Sequence, residues 1–215
     1  MSARPALSRE RIVEAAVRVA DRGGLAQVSM RNVGRELGVE AMSLYHHLSG
    51  KDDLLDALVD WIYSRIELPE LDDPWRPAMA ARAEAARTVL ARHPWALGIV
   101  ESRRGPAPAL LRHHDTVLGC LRRNGFSLTL AAHAFSAIDA YVYGFVLTEL
   151  NLPFEAGDGA DELVAEVAHL MPADAYPHLA ELVTDQVAGR DYAYGDEFEY
   201  GLDLILDGLE DRLGG

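Results

Sequence analysis

Between Ser29 and Lys51 the chain gathers side chains suited to gripping a polyanion: Arg31, Ser43, Tyr45, the pair His46-His47 and Lys51. Guanidinium, ammonium, phenol and imidazole groups supply donors for phosphate oxygens and for base edges. Lys51 is the only lysine in the 215 residues, and a compact ammonium on a mobile stem suits a phosphate. His46 and His47 could also be read as a metal pair. Neighbours on a helix point about 100° apart, however, and no third ligand lies nearby, so no metal is expected. Elsewhere, His133, Asp139 and the run His113-His114-Asp115 are what a helical-bundle enzyme would use. The sequence holds a single Glu-x-x-His, Glu166 to His169, where a two-metal helical bundle needs two, it holds no nucleophile elbow or phosphate loop, and Cys120 has no partner base in view. Neither catalysis nor a cofactor is expected, and the alternatives to a DNA-binding protein are a helical-bundle enzyme and a protein-only adaptor.

Charge supports the polyanion reading once it is divided along the chain. The formal net charge is −14, which taken whole would repel DNA. Residues 1–51 nevertheless hold eight basic side chains against five acidic ones, which leaves −17 for the rest. A small basic head on an acidic body lets one surface dock and keeps the others away from phosphate. The single cysteine suits a reducing compartment, and the opening MSARPALSRE lacks the apolar run of a signal peptide, so a cytoplasmic protein is expected. The longest apolar stretch, 128–150, carries His133 and Asp139 near its middle. A central Asp costs about 2.5 to 3.5 kcal/mol on insertion scales, so this stretch is expected to be a covered bundle helix and no membrane partner is expected.

The elements that must position these groups are all helical, because apolar residues recur at the 3.6 period and no alternating run competes. Ser8 caps a first helix with Ile12, Ala15, Ala16 and Val19 inward, ended by Gly23-Gly24. Ser29 starts a second helix that stops at Gly38, and a short third runs from about Glu40 to His46 with Leu44 inward. A fourth runs from Ser49 or Gly50 to about Ile66, with Asp52 and Asp53 at its positive end. Pro69 and Asp72-Asp73-Pro74 then break the pattern. The expected domains are a head over 1–66 and a body over 67–215. Body helices are expected at about 75–92, 95–102, 108–123, 128–150, 161–170, 174–188 and 194–213.

The stretch from Ser29 to Lys51 is thus a helix, a glycine turn, a short second helix, a Tyr-x-His and a lysine, the order of a helix-turn-helix. It closely resembles the head of the TetR (tetracycline repressor) family from Leu7 to about Trp61. RIVEAAVRVADRGG before it and KDDLLDAL after it carry the resemblance further. The resemblance implies a transcription regulator, most simply a repressor, that reads double-stranded operator DNA. By the same resemblance Tyr45, His47 and Lys51 hold phosphate, while Ser29, Met30, Arg31, Ala41, Met42, Ser43 and His46 lie at the DNA, Arg31 as a guanine reader. Ala41 stands where the family's founding member has glutamine, so a different operator is implied.

The body echoes the tetracycline-repressor subclass in A-R-H-P-W at 91–95, L-R-R-N-G-F-S-L at 121–128 and S-A-I-D-A-Y-V-Y-G-F-V-L at 136–147. That likeness implies a larger helical domain that binds a small-molecule effector and dimerises through the 128–150 helix and the last one. Phe198, Leu202, Ile205, Leu209 and Leu213 form an apolar stripe on that last helix, read here as a contact with a second copy. Two heads would then read a palindromic operator. The pocket residues implied are Arg82, Glu101, Arg104, His114, Phe135, Ser136, Asp139 and Tyr143. Glu101 falls near a metal-ligating histidine of the founding member, which argues against a magnesium-tetracycline complex as the effector.

Overall fold

A computed structural model of the chain describes residues 6–100, 107–152, 174–187 and 193–214, and no strand occurs among them. The head forms as its caps dictate. Ser8 accepts from the Arg11 amide and opens α1 (Arg9–Gly23), which ends on Gly24 at φ 74°. Ser29 accepts from the Asn32 amide and opens α2 (Met30–Leu37), and Gly38 closes it in the left-handed region at φ 66°. Then come α3 (Ala41–Leu44), shorter than expected, and α4 (Lys51–Tyr63). Tight contact between α2 and the following turn depends on Gly34. A Cβ there would stand 3.0 Å from the Val39 carbonyl oxygen and 3.2 Å from the Ala41 amide nitrogen. Ile12, Val33, Leu44, Leu54 and Leu58 are fully buried and make the head's core.

The next elements are α5 (Trp75–Arg92), α6 (Pro108–Arg123) and α7 (Leu128–Leu150), with the bounds expected from their caps and prolines. Between α5 and α6 the expected 95–102 helix is instead a 3-10 helix, Pro94–Gly98, and residues 101–106 are outside the described set. Met79, Val117, Leu121, Phe126, Ala134 and Ile138 are fully buried around these helices. Among the described residues α7 is the one helix long and apolar enough to cross a membrane. Its Asp139 is ion-paired with Arg82.

Compactness divides the chain after Val146 rather than near residue 66. The reason is that head and body interlock within the first unit. Helix α4 packs along α6. Asp60 on α4 accepts from the Ala109 amide at 2.7 Å, and Asp21 on α1 accepts from His93 Nδ1 at 2.8 Å and Trp95 Nε1 at 2.6 Å.

The second unit, from Leu147, contains α8 (Pro177–Leu182), a π turn at Val183–Val187 and α9 (Glu197–Leu213) after a 3-10 turn at Tyr194–Asp196. The expected helix at 161–170 lies outside the described residues. On α9 the stripe read as a dimer contact is mostly interior to the chain. Phe198, Leu202 and Leu209 are buried with Leu206, and Ile205 and Leu213 are half-buried. The apolar surface left open is a neighbouring strip bearing Tyr200 and Leu204, 67% and 59% exposed.

Candidate DNA-contacting face and ligand centre

Four of the head's acidic groups, Asp21, Glu36, Asp53 and Asp60, are bonded within the chain, while Glu40 and Asp52 stay exposed. Glu36 takes Arg18 at 2.9 Å and also pairs with Arg22, and those two arginines hold its carboxyl below the ordinary range. Arg9 binds Asp53 at 2.5 Å, and the Asp53 carboxyl, held first by that bond, falls to about 2. Asp53 also accepts from the Ser49 amide at 2.9 Å, which shapes the turn just before Lys51. Arg31, Arg35 and Lys51 remain exposed. An acidic chain thereby presents a locally basic surface.

Helix geometry places most of the expected DNA residues on that surface. Arg31 lies in the first turn of α2, Met42 is 72% exposed on α3, and Tyr45, His46, His47 and Lys51 are all exposed. Ala41 and Ser43 are half-open. Ser29 spends its hydroxyl on the Asn32 amide, so its role is to start the helix. Met30 is buried, which places its side chain in the head's packing rather than at a groove. Lys51 opens α4, whose first amides point the same way and favour an anion.

The body residues expected at a pocket converge in part. Arg82, 2% exposed, sends Nη2 to Asp139 Oδ1 at 2.6 Å and sets Nη1 3.4 Å from Nε2 of His113. Its guanidinium lies 5.6 Å from the Phe135 ring centroid, and the Phe135 and His114 rings are 4.5 Å apart. Tyr143 meets the hydroxyl of Tyr63 at 3.0 Å. Ser136 is exposed on α7, and Glu101 and Arg104 lie outside the described residues.

Two members of this centre are not among the expected residues. Tyr63 comes from the end of α4, and its ring is 5.2 Å from that of His113. His113 is 1% exposed, and burial, with Arg82 and then His114 beside it, holds its imidazole down at about 3. A signal for His113 was present in the chain. It falls on the buried stripe of α6 formed by Ala109, Val117 and Cys120, at spacings of four, four and three. Nε of Arg82 and Nδ1 of His113 are buried and have no hydrogen-bond partner. Among the described residues no group of His, Cys, Asp and Glu is placed to hold a metal ion.

Both parts of the chain have known relatives. The model of bacterial regulatory proteins of the tetR family matches residues 12–58, and that of the tetracyclin repressor-like C-terminal domain matches residues 68–213. The HTH-type transcriptional repressor DrrR1 of Streptomyces coeruleorubidus is 36% identical over 96% of this chain and 78% of its own. The class C tetracycline repressor protein of Escherichia coli is 30% identical over 95% of this chain and 91% of its own. The crystal structure of ActR from Streptomyces coelicolor in complex with actinorhodin superposes with a TM-score of 0.78 at 28% identity, over 98% of this chain and 100% of the other.

Proposed function

This chain belongs to the TetR family and is a DNA-binding transcription regulator modulated by a small molecule, and from that premise we propose that it is a homodimeric repressor whose DNA face and ligand centre are joined by α4. The observation that carries the proposal is the placement of α4. Its first residue, Lys51, is exposed on the DNA face, and its last, Tyr63, touches the Arg82–His113 centre through its ring and hydroxyl contacts. The functional division is 1–66 for DNA and 67–215 for effector and dimer, although the two parts interlock.

Tyr45, His47 and Lys51 hold phosphate and fix the register. Arg31 reads guanine in the major groove, Ser43 and His46 add donors, and Ala41 and Met42 offer apolar contact to thymine methyls. Ser29 holds Arg31 in place from the cap. The effector is an apolar or aromatic molecule with few polar groups, bound against Arg82, His114, Phe135, Asp139 and Tyr143. Glu101 and Arg104 belong to the same proposed site. The complex of ActR with actinorhodin supports an aromatic effector.

Dimerisation rests on two open apolar strips. On α7, Ala132, Ala137, Ala140, Gly144 and Leu147 are exposed with Ser136 among them, and on α9 Tyr200 and Leu204 are exposed. Small side chains on α7 let a second copy's helix approach closely. The relatives are regulators of a family without enzymes, which supports reading no catalysis into His113-His114-Asp115. The cytoplasm, where operator DNA lies, is the proposed location.

The test separates the two kinds of DNA contact. Lys51→Ala is expected to weaken operator and random DNA alike and to lower the salt slope by about one. Arg31→Ala is expected to cost about 1 to 3 kcal/mol on the operator and much less on random DNA. Full affinity of Lys51→Ala at every salt concentration, or an equal loss on all sequences with Arg31→Ala, would overturn these roles.

A further inference from the structure

We propose that the effector presents a neutral hydrogen-bond acceptor, a carbonyl oxygen on an aromatic frame, to the Nδ1–H of His113, and that His113 is a specificity-determining residue of the ligand centre. The inference rests on the effector site proposed above and deepens it by assigning the ligand's chemistry.

The tautomer of His113 follows from its neighbour. Its Nε2 lies 3.4 Å from Nη1 of Arg82. A guanidinium has only donors, so Nε2 must be the acceptor and the ring proton must reside on Nδ1. The depressed basicity of the buried ring agrees with a neutral imidazole. Nδ1–H is then a donor, and it is buried without a partner, as is the Nε–H of Arg82. Two orphan donors flank a single Arg82–His113 contact. Buried donors left unpaired are costly, and both call for the same kind of partner, an acceptor.

Charge selects which acceptor. Asp139, 2.6 Å from Nη2, already compensates the guanidinium, and His113 is neutral. A carboxylate brought here would be an added buried charge with no counterion, whereas a carbonyl oxygen takes one of these N–H groups without that cost. Shape selects the frame. Phe135 lies 6.2 Å from the His113 ring and beneath the Arg82 guanidinium, and the Tyr63 ring lies 5.2 Å from His113. Such aromatic walls fit a flat ring system.

The test uses the full chain and three matched probes: 9-fluorenone, fluorene and fluorene-9-carboxylate. Binding is followed by tryptophan fluorescence, with the thermal midpoint as a check on folding. Fluorenone is expected to bind at least about ten times more tightly than either of the others. In His113→Phe that preference is expected to shrink to about two-fold. Nitrogen-15 spectra of the ligand-free wild type are expected to show His113 protonated at Nδ1, a readout independent of any variant's folding. Equal binding of the probes, tightest binding of the carboxylate, a preference untouched by His113→Phe, or a proton on Nε2 would each overturn the inference. So would the failure of all three probes to bind, or an ordered water on Nδ1 of His113 that fluorenone does not displace. The roles of Lys51 and Arg31 at the operator are measured without ligand, so these results leave that reading standing or falling by itself.

Discussion

The hydroxyls of Tyr63 and Tyr143 stand 3.0 Å apart although the residues are 80 positions apart in sequence. Tyr63 is the last residue of α4 and Lys51 the first, so a rod of 13 residues, about 20 Å long, separates the proposed ligand centre from the proposed phosphate contact. An effector that shifts Tyr143 or takes its hydrogen bond acts on the end of that rod. Tyr63→Phe keeps the ring and loses the hydroxyl. The factor by which ligand weakens operator binding is expected to fall about five-fold, the equivalent of one hydrogen bond of about 1 kcal/mol. Operator titrations with and without saturating ligand check this, and an unchanged factor would remove the hydroxyl pair from the coupling.

Gly34 is the second test, and it addresses the head's fold. Gly34→Ala pushes a methyl against the Val39 carbonyl and the Ala41 amide, backbone atoms that cannot swing aside. A loss of about 1 to 3 kcal/mol is expected, together with weaker DNA binding as α3 is displaced. Gly98→Ala, where an added Cβ meets nothing within 4 Å, is the control and is expected to change stability by no more than about 0.5 kcal/mol. Thermal unfolding and operator binding of the two variants decide the matter.

Acid titration tests the buried imidazole. The His113 pKa is lowered from 6.5 to about 3 in the folded protein, so below pH 6.5 the unfolded chain binds a proton that the folded chain refuses. This contribution to stability is complete above pH 6.5 and is lost as the pH falls towards 3, at up to about 1.4 kcal/mol per unit. Between pH 6.5 and 5 the wild type is expected to lose about 2 kcal/mol more than His113→Gln, which has no such proton to refuse. Denaturant midpoints of both proteins across that range provide the measurement. Parallel curves would show that His113 titrates normally.

The last prediction distinguishes the two strips of α9. Leu204→Glu alters an exposed side chain and is expected to give a folded monomer by light scattering. Leu202→Glu places a charge at a position 4% exposed and is expected to unfold the chain or cost several kcal/mol. A dimeric Leu204→Glu protein would exclude this strip from the interface.

Much of the fold was legible because local chemistry sets it. Ser8, Ser29, Gly24 and Gly38 mark helix ends by satisfying backbone groups, and Pro74 before α5 and Pro108 at the start of α6 mark starts because they lack an amide to be satisfied, so those bounds follow from single residues. The Pro94–Gly98 segment was harder to read, since one turn of 3-10 helix carries the same apolar period as an α-helix. The open strip of α9 also escaped the pattern. Tyr200 and Leu204 lie among Phe198, Leu202, Leu206 and Leu209 on a helix rich in apolar side chains, and only tertiary burial decides which of them face inward. At the site, Arg82, His114, Phe135, Asp139 and Tyr143 were legible through resemblance. His113 was visible only as part of the His113-His114-Asp115 run weighed for an enzyme, and the partnership of Asp21 with His93 and Trp95 joins residues more than 70 positions apart, beyond any local period.

Lys51, exposed at the start of α4, carries the only side-chain amine in the protein. Amine-directed chemistry therefore addresses this side chain and the chain's first nitrogen and nothing else. A lysine-specific protease has one peptide bond to cut, Lys51–Asp52, which severs the helix-turn-helix from α4. Bound DNA that covers Lys51 shields both reactions, so the rate of a single acylation or a single cleavage reports operator occupancy in solution without any label.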